Sequence, residues 1–170
     1  RMNAAHILSY NLSADLAPCW PGDDAPRERR HLERGLEAAR DCLTWCAPDV
    51  NQGLSMDWWA KGCHELFLGD TESAILSFTN SIEFARKVAE AAGEGTTVSP
   101  KGSFGVVLGA GYLGIAKAVA GDKAGNTLYF EAVRAFGAQI ADEEKADDAK
   151  FGIAQLETVR ERYAEELAGE

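Results

Sequence analysis

Apolar residues recur at helical spacing in three separate stretches, and that repetition constrains the fold more than any other feature of the chain. Leu32, Leu36, Ala39, Leu43 and Cys46 step by four, three, four and three positions, which aligns them along one face of a helix. Ile75, Phe78, Ile82, Ala85, Ala89 and Ala92 do the same, leaving Arg86, Lys87 and Glu90 for the wet side. A third stripe, Ile153, Leu156, Val159, Tyr163 and Leu167, runs among Glu157, Arg160, Glu161, Arg162 and Glu165. Each such helix must bury its stripe against a neighbour. No stretch alternates polar and apolar residues for long enough to build a sheet, so the expected fold class is all-α.

Gly-Asp pairs at Gly22-Asp23, Gly69-Asp70 and Gly121-Asp122 separate helix-like segments. Glycine takes the left-handed geometry that ends one helix, and aspartate offers an oxygen to the free amides that begin the next, so each pair is expected to mark a tight corner. Longer breaks lie at Ala47 to Leu54 and Gly93 to Gly102, around Pro48 and Pro100. The expected helices run at about 2–17, 26–46, 55–68, 71–92, 103–120, 125–141 and 144–168. They form one domain over 1–170: hairpins at about 2–46, 55–92 and 103–141, and a capping helix at about 144–168 that covers the last open face of an α-α superhelix. The run Asp142-Glu143-Glu144-Lys145-Ala146-Asp147-Asp148 sits where that cap begins, and carboxylates favour the positive end of a helix dipole.

At 46% hydrophobic and 26% charged residues, the 170-residue chain has an ordinary globular composition, without the roughly 20 consecutive apolar residues of a membrane span. Arg1 to Ala17 lacks the basic, apolar and small-residue succession of a secretory leader. A formal net charge of -10 repels phosphate backbones and anionic lipid, so neither nucleic acid nor membrane is an expected partner, and a protein with a basic edge is favoured. Cys19, Cys42, Cys46 and Cys63 follow no repeated spacing. They read as reduced, mostly buried thiols in a cytoplasmic protein.

Trp58, Gly62, Leu68, Gly69, Asp70, Ala74, Ile75 and Phe78 stand in the order of the aromatic, glycine, turn and second-helix positions of one repeat, and this segment resembles the tetratricopeptide repeat family. Gly62 and Ala74 would let the two helices approach, with Trp58 and Phe78 filling the space on either side. Leu113, Gly114, Gly121, Asp122 and Phe130 form a second copy in which Asn126 replaces a small alanine, and Tyr10, Asn11 and Leu12 with the first Gly-Asp pair form a third. The corners recur after 47 and 52 residues, against about 34 in the family. The chain is therefore tetratricopeptide-like, with lengthened repeats.

The resemblance implies that the first helix of each pair lines an inner, concave wall. Met56, Trp59, Cys63, Leu66 and Phe67 would face it in the best repeat, Tyr10 in the first, and Leu108, Tyr112, Ile115 and Val119 in the third. An apolar, acid-rimmed groove of that kind would hold a segment of another protein. An inhibitor or immunity-type protein that masks one cognate protein is the rival within the binding class. In a tightly curled or dimeric array the same residues would simply be core.

Gly109-Ala110-Gly111-Tyr112-Leu113-Gly114, after Val106-Val107-Leu108 and with Glu131 17 residues beyond Gly114, spells the fingerprint of a dinucleotide site. Such a site needs parallel strands on both sides, and only 39 residues follow Glu131. A tightly packed helix is the plainer reading, and an enzyme binding a nucleotide or small molecule at Gly109 to Gly114 is the alternative function. Cys42, Cys46, Cys63 and His64 supply the residue types of a zinc set, but Cys42 and Cys46 flank Leu43 on the packing face, and no metal is expected. His6 and His31 are isolated, no nucleophile and base stand in a known order, and neither a catalytic residue nor a cofactor is assigned.

Overall fold

A computed structural model describes residues 4–167, without the side chains of Glu165 and Glu166. The helices are α1 (Ala4–Leu16), α2 (Arg29–Trp45), α3 (Asn51–Phe67), α4 (Thr71–Ala92), α5 (Phe104–Val119), α6 (Ala124–Gln139), α7 (Ala146–Glu161) and a last turn, α8 (Ala164–Leu167). The fold is all-α. Among the described residues the only β-type pairing is an isolated bridge between Gly95 and Gly102. The expected first-helix start at residue 2 and last-helix end at residue 168 lie outside the described residues. No helix among those described is long and apolar enough to cross a membrane.

Three helical hairpins, α1/α2, α3/α4 and α5/α6, stack in order, and α7 packs on the last of them. Odd-numbered helices also touch one another, α1 with α3, α3 with α5 and α5 with α7, which makes them an inner row behind which α2, α4 and α6 stand. The corner between α3 and α4 follows from its residues. Gly69 adopts a φ of 85°, which lets the Asp70 amide reach back to the Glu65 carbonyl at 2.9 Å, while the Asp70 carboxylate accepts the Ser73 amide and caps α4. The Gly121-Asp122 corner closes in the same way, through Asp122 N–H to the Lys117 carbonyl at 2.9 Å.

The first corner departs from expectation. Gly22 has the left-handed φ of 78°, but α2 starts only at Arg29, capped by Glu28. Arg27 spends its guanidinium on the end of α1 instead, donating to the Leu16 and Asp15 carbonyls and to the Asp23 carboxylate. Pro21 and Gly22 form a turn that the Asp23 amide closes on the Trp20 carbonyl at 3.1 Å, and Pro26 lies in the irregular stretch before α2. The connection before α3 is shorter than expected, because the helix begins at Asn51 rather than near residue 55.

The core runs between the two rows. Phe78 lies over Gly62, where a Cβ would stand 2.7 Å from its ring, and Tyr112, Ile115, Phe136, Leu156 and Val159 continue the interior to α7.

Candidate functional site

The inner row is closed by α7. Gln155 Nε2 donates to the Cys19 sulfur at 3.6 Å, Phe151 stacks on Trp20 with ring centres 6.3 Å apart, and the Tyr163 hydroxyl donates to the Leu66 carbonyl at 3.0 Å. The array curls until its last long helix meets the connection after its first. That closure decides the fate of the expected groove: Trp59, Cys63, Leu66, Tyr112 and Ile115 are all buried in the interior, at 7% exposure or less. Phe67 is half-buried, stacked on Tyr163 at 6.2 Å. Tyr10 and Met56 alone of the eight expected groove residues line a pocket while keeping part of their surface exposed.

That pocket, of about 270 Å³, is what closure leaves of the wall. Its sides are Tyr10, Trp20, Met56, Trp59, Phe104 and Phe151, and no charged residue lines it, so the expected acidic rim is not part of its wall. Trp59 sits edge-on to Trp20 at 5.9 Å and to Tyr112 at 5.8 Å, which fixes the aromatic wall from behind. Ser55 and Ser81 also reach the pocket, but each donates its hydroxyl to the other's carbonyl, at 3.0 and 2.8 Å, tying α3 to α4. Two lining residues keep a buried polar atom without a hydrogen-bond partner among the described residues, Trp59 at Nε1 and Gln155 at Oε1. Gln155 is 1% exposed.

Behind the pocket, Cys19, Cys63 and Tyr112 share a buried cluster. The hydrogen bond from the Cys63 thiol holds the Cys19 thiol below its ordinary pKa, helped by Tyr112 and Gln155 and opposed by burial. Burial pushes Cys63 itself well up, and Cys19 adds to that.

A second cavity, of about 210 Å³, shares Tyr10 and Met56 with the first and is lined also by His6, Asn11, Gly53 and Asp57. His6 Nε2 stands 2.7 Å from Asp57 Oδ2, both side chains being at most 3% exposed. Donor atoms of His6, Asp57 and Cys46 lie within 4.8 Å of one another. Burial pushes the Asp57 carboxyl up against the hydrogen bond from His6, and burial with the Asp57 charge pushes the Cys46 thiol up to about 11.

The zinc set weighed from sequence does not assemble. Cys63 faces Cys19, whereas the neighbouring His64 points the other way, its Nε2 2.9 Å from the Ser13 carbonyl and its ring filling the space that Gly35 leaves on α2. Cys42 meets the His6 carbonyl at 3.9 Å.

The Gly109 to Gly114 fingerprint lies in the middle of α5, with no strand before it and no turn within it. Each glycine admits a different neighbour: Gly109 faces Ile82, Gly111 faces Leu156, and Gly114 faces the backbone of Gly125 and Tyr129. These are packing positions, and no amides are free there to cradle a pyrophosphate.

No protein-family model, curated protein or solved structure matches this chain. Its chemistry is thus read from its own geometry. Sequence reasoning missed Asp57 and Glu65, although a signal existed: Gly53, Asp57, Ala60 and His64 follow helical spacing on α3, and all four are buried. A carboxylate on such a stripe needs a partner.

Proposed function

We propose that the chain is a tetratricopeptide-like interaction module that grips a partner protein by taking one large apolar side chain into the pocket between Trp20, Met56, Trp59, Phe104 and Phe151. The observation that carries this is an uncharged, aromatic-walled pocket on the inner row whose buried Gln155 Oε1 lacks a donor. Anchors of this type supply much of the affinity of protein interfaces, because a fully desolvated aromatic pocket rewards one well-fitted side chain. The size argues in the same direction. At about 270 Å³ the space is below the roughly 300–1,000 Å³ of small-molecule sites, which suits a single side chain better than a nucleotide.

The formal charge of -10 favours partner segments in which Lys or Arg flanks the anchor, through faster association more than tighter contact. The four cysteines, all free thiols, support a reducing, cytoplasmic setting for this interaction.

Selection of a displayed random-peptide library against the folded chain tests the proposal. Enriched peptides are expected to share one Trp, Phe, Leu or Met flanked by basic residues. Met56→Trp, which fills the pocket from its half-exposed edge, is expected to abolish their binding without changing helicity. Peptides that bind Met56→Trp as well as the parent, or no enrichment at all, would overturn it.

A further inference from the structure

The geometry points to a transition-metal site, best suited to zinc, formed by His6, Cys46 and Asp57. Three elements converge to make it: α1 brings the imidazole, the C-cap of α2 brings the thiol, and the second turn of α3 brings the carboxylate. Nitrogen, sulfur and oxygen donors together are the set that zinc accepts, at roughly 2.0–2.3 Å from the ion. Donors around a tetrahedral ion at those distances stand roughly 3.3–3.8 Å apart. The three donor atoms here fall within 4.8 Å of one another, so small side-chain rotations close the shell. The His6 to Asp57 contact of 2.7 Å opens by less than an ångström to admit the ion.

Two further observations point to a cation. Asp57 is 0% exposed, and its Oδ1 has no hydrogen-bond donor among the described residues. A buried carboxylate with one oxygen unsatisfied is costly, and a coordinated ion removes that cost. Room is also provided. A Cβ on Gly53 would stand 2.9 Å from Cys46 Sγ and 3.6 Å from His6 Cε1, so the glycine is what allows thiol and imidazole to meet over α3.

The shell would be completed from outside the protein. Three protein ligands leave a tetrahedral ion one position, and the adjoining cavity of about 210 Å³ has space there for water or a small anionic ligand. An open position of this kind is the arrangement of reactive rather than purely structural zinc. The site is separate from the apolar pocket, and the two share only the Tyr10 and Met56 walls.

Titration of the full chain, stripped with chelator, with Co²⁺ under reducing conditions tests the site. One ion per chain is expected, with a thiolate-to-cobalt charge-transfer band and intense tetrahedral d–d bands that Zn²⁺ bleaches. Cys46→Ser is expected to remove the charge-transfer band, and Asp57→Asn to weaken binding at least tenfold. Cys63→Ala, outside the shell, is expected to keep the spectrum. X-ray absorption of the zinc-loaded parent gives an answer that needs no variant: one sulfur among nitrogen and oxygen scatterers is expected. No cobalt spectrum, a charge-transfer band that survives Cys46→Ser, or a shell with no sulfur or several would overturn the assignment.

Discussion

Gln155 and Cys19, 136 positions apart in sequence, meet at 3.6 Å inside the protein. The contact joins α7 to the connection after α1 and turns a row of helices into a curled array with little open wall. The Gln155 amide nitrogen supports the Cys19 sulfur, while its oxygen is left without a donor among the described residues.

Trp59 tests the closure. Lying 7% exposed between Trp20 and Tyr112, it belongs to the interior as well as to the pocket wall. Trp59→Ala is therefore expected to cost about 3–5 kcal/mol of folding stability, visible as a large drop in the urea midpoint. Near-parental stability would mean that this wall is open in solution and that Trp59 serves the partner alone.

The helices were legible because their signals are local. The stripe from Ile75 to Ala92 and the Gly69-Asp70 corner fix α4 within their own stretch of chain, and the helical period of Leu156 and Val159 marks α7 before any contact is known. The curl was not legible, because it rests on pairs such as Phe151 with Trp20 and Tyr163 with Leu66 that no local pattern announces. The same limit explains the site. The position of Tyr10 and Met56 in the repeat places them on the inner row, but whether that row faces solvent depends on α7 (Ala146–Glu161), far along the chain from both. His6 and Asp57 lie 51 positions apart, and nothing between them in sequence indicates that they touch.

Lys61 is expected to matter through a buried partner. Glu65, 2% exposed, accepts from the Ser77 hydroxyl at 2.6 Å and is paired with the Lys61 ammonium. Lys61→Met strands that carboxylate without its cation, and about 3–5 kcal/mol of stability is expected to go with it. Adding Glu65→Leu should restore most of the loss in thermal melts, since an apolar pair removes the desolvation cost altogether. A single variant as stable as the parent would show that Ser77 and water suffice.

The glycines of α5 are expected to separate by what they face. A methyl at Gly114 would stand 2.6 Å from the Tyr129 amide nitrogen and 2.8 Å from the Gly125 carbonyl oxygen. Backbone cannot step aside, so Gly114→Ala is expected to cost about 3 kcal/mol, the upper part of the overpacking range. Gly111 faces the tip of the Leu156 side chain, which can rotate, and Gly111→Ala should cost less. At Gly137 on α6 an added methyl meets nothing within 4 Å, and Gly137→Ala should stabilise by about 0.5–1 kcal/mol through helix propensity. Urea midpoints of the three variants check the order, and a reversal of the first two would refute the α5/α6 contact.

Stability is expected to peak near pH 8.5 and to fall on the alkaline side. Burial pushes the Cys63 thiol and the Tyr112 hydroxyl well above their ordinary values, so the folded chain keeps protons that the unfolded chain gives up near pH 8.5 and pH 10, about the reference values. Where the unfolded state binds fewer protons, stability declines with pH, by about 1.4 kcal/mol per unit for each such group. Burial raises the Cys42 thiol to about 12, which adds in the same sense. Cys19 works oppositely: the Cys63 hydrogen bond depresses its folded value, so its contribution is complete above about pH 8.5 and is lost as pH falls through that lower value. Cys63→Ala removes one alkaline group and the donor that sustains Cys19, and should flatten both sides of the curve. Urea unfolding at intervals from about pH 6 to 10.5, bracketing these thiol and phenol values, checks this. A parent whose midpoint stays flat across that whole range would show that Cys19, Cys63 and Tyr112 titrate as they do in water, and that the cluster behind the pocket is not closed.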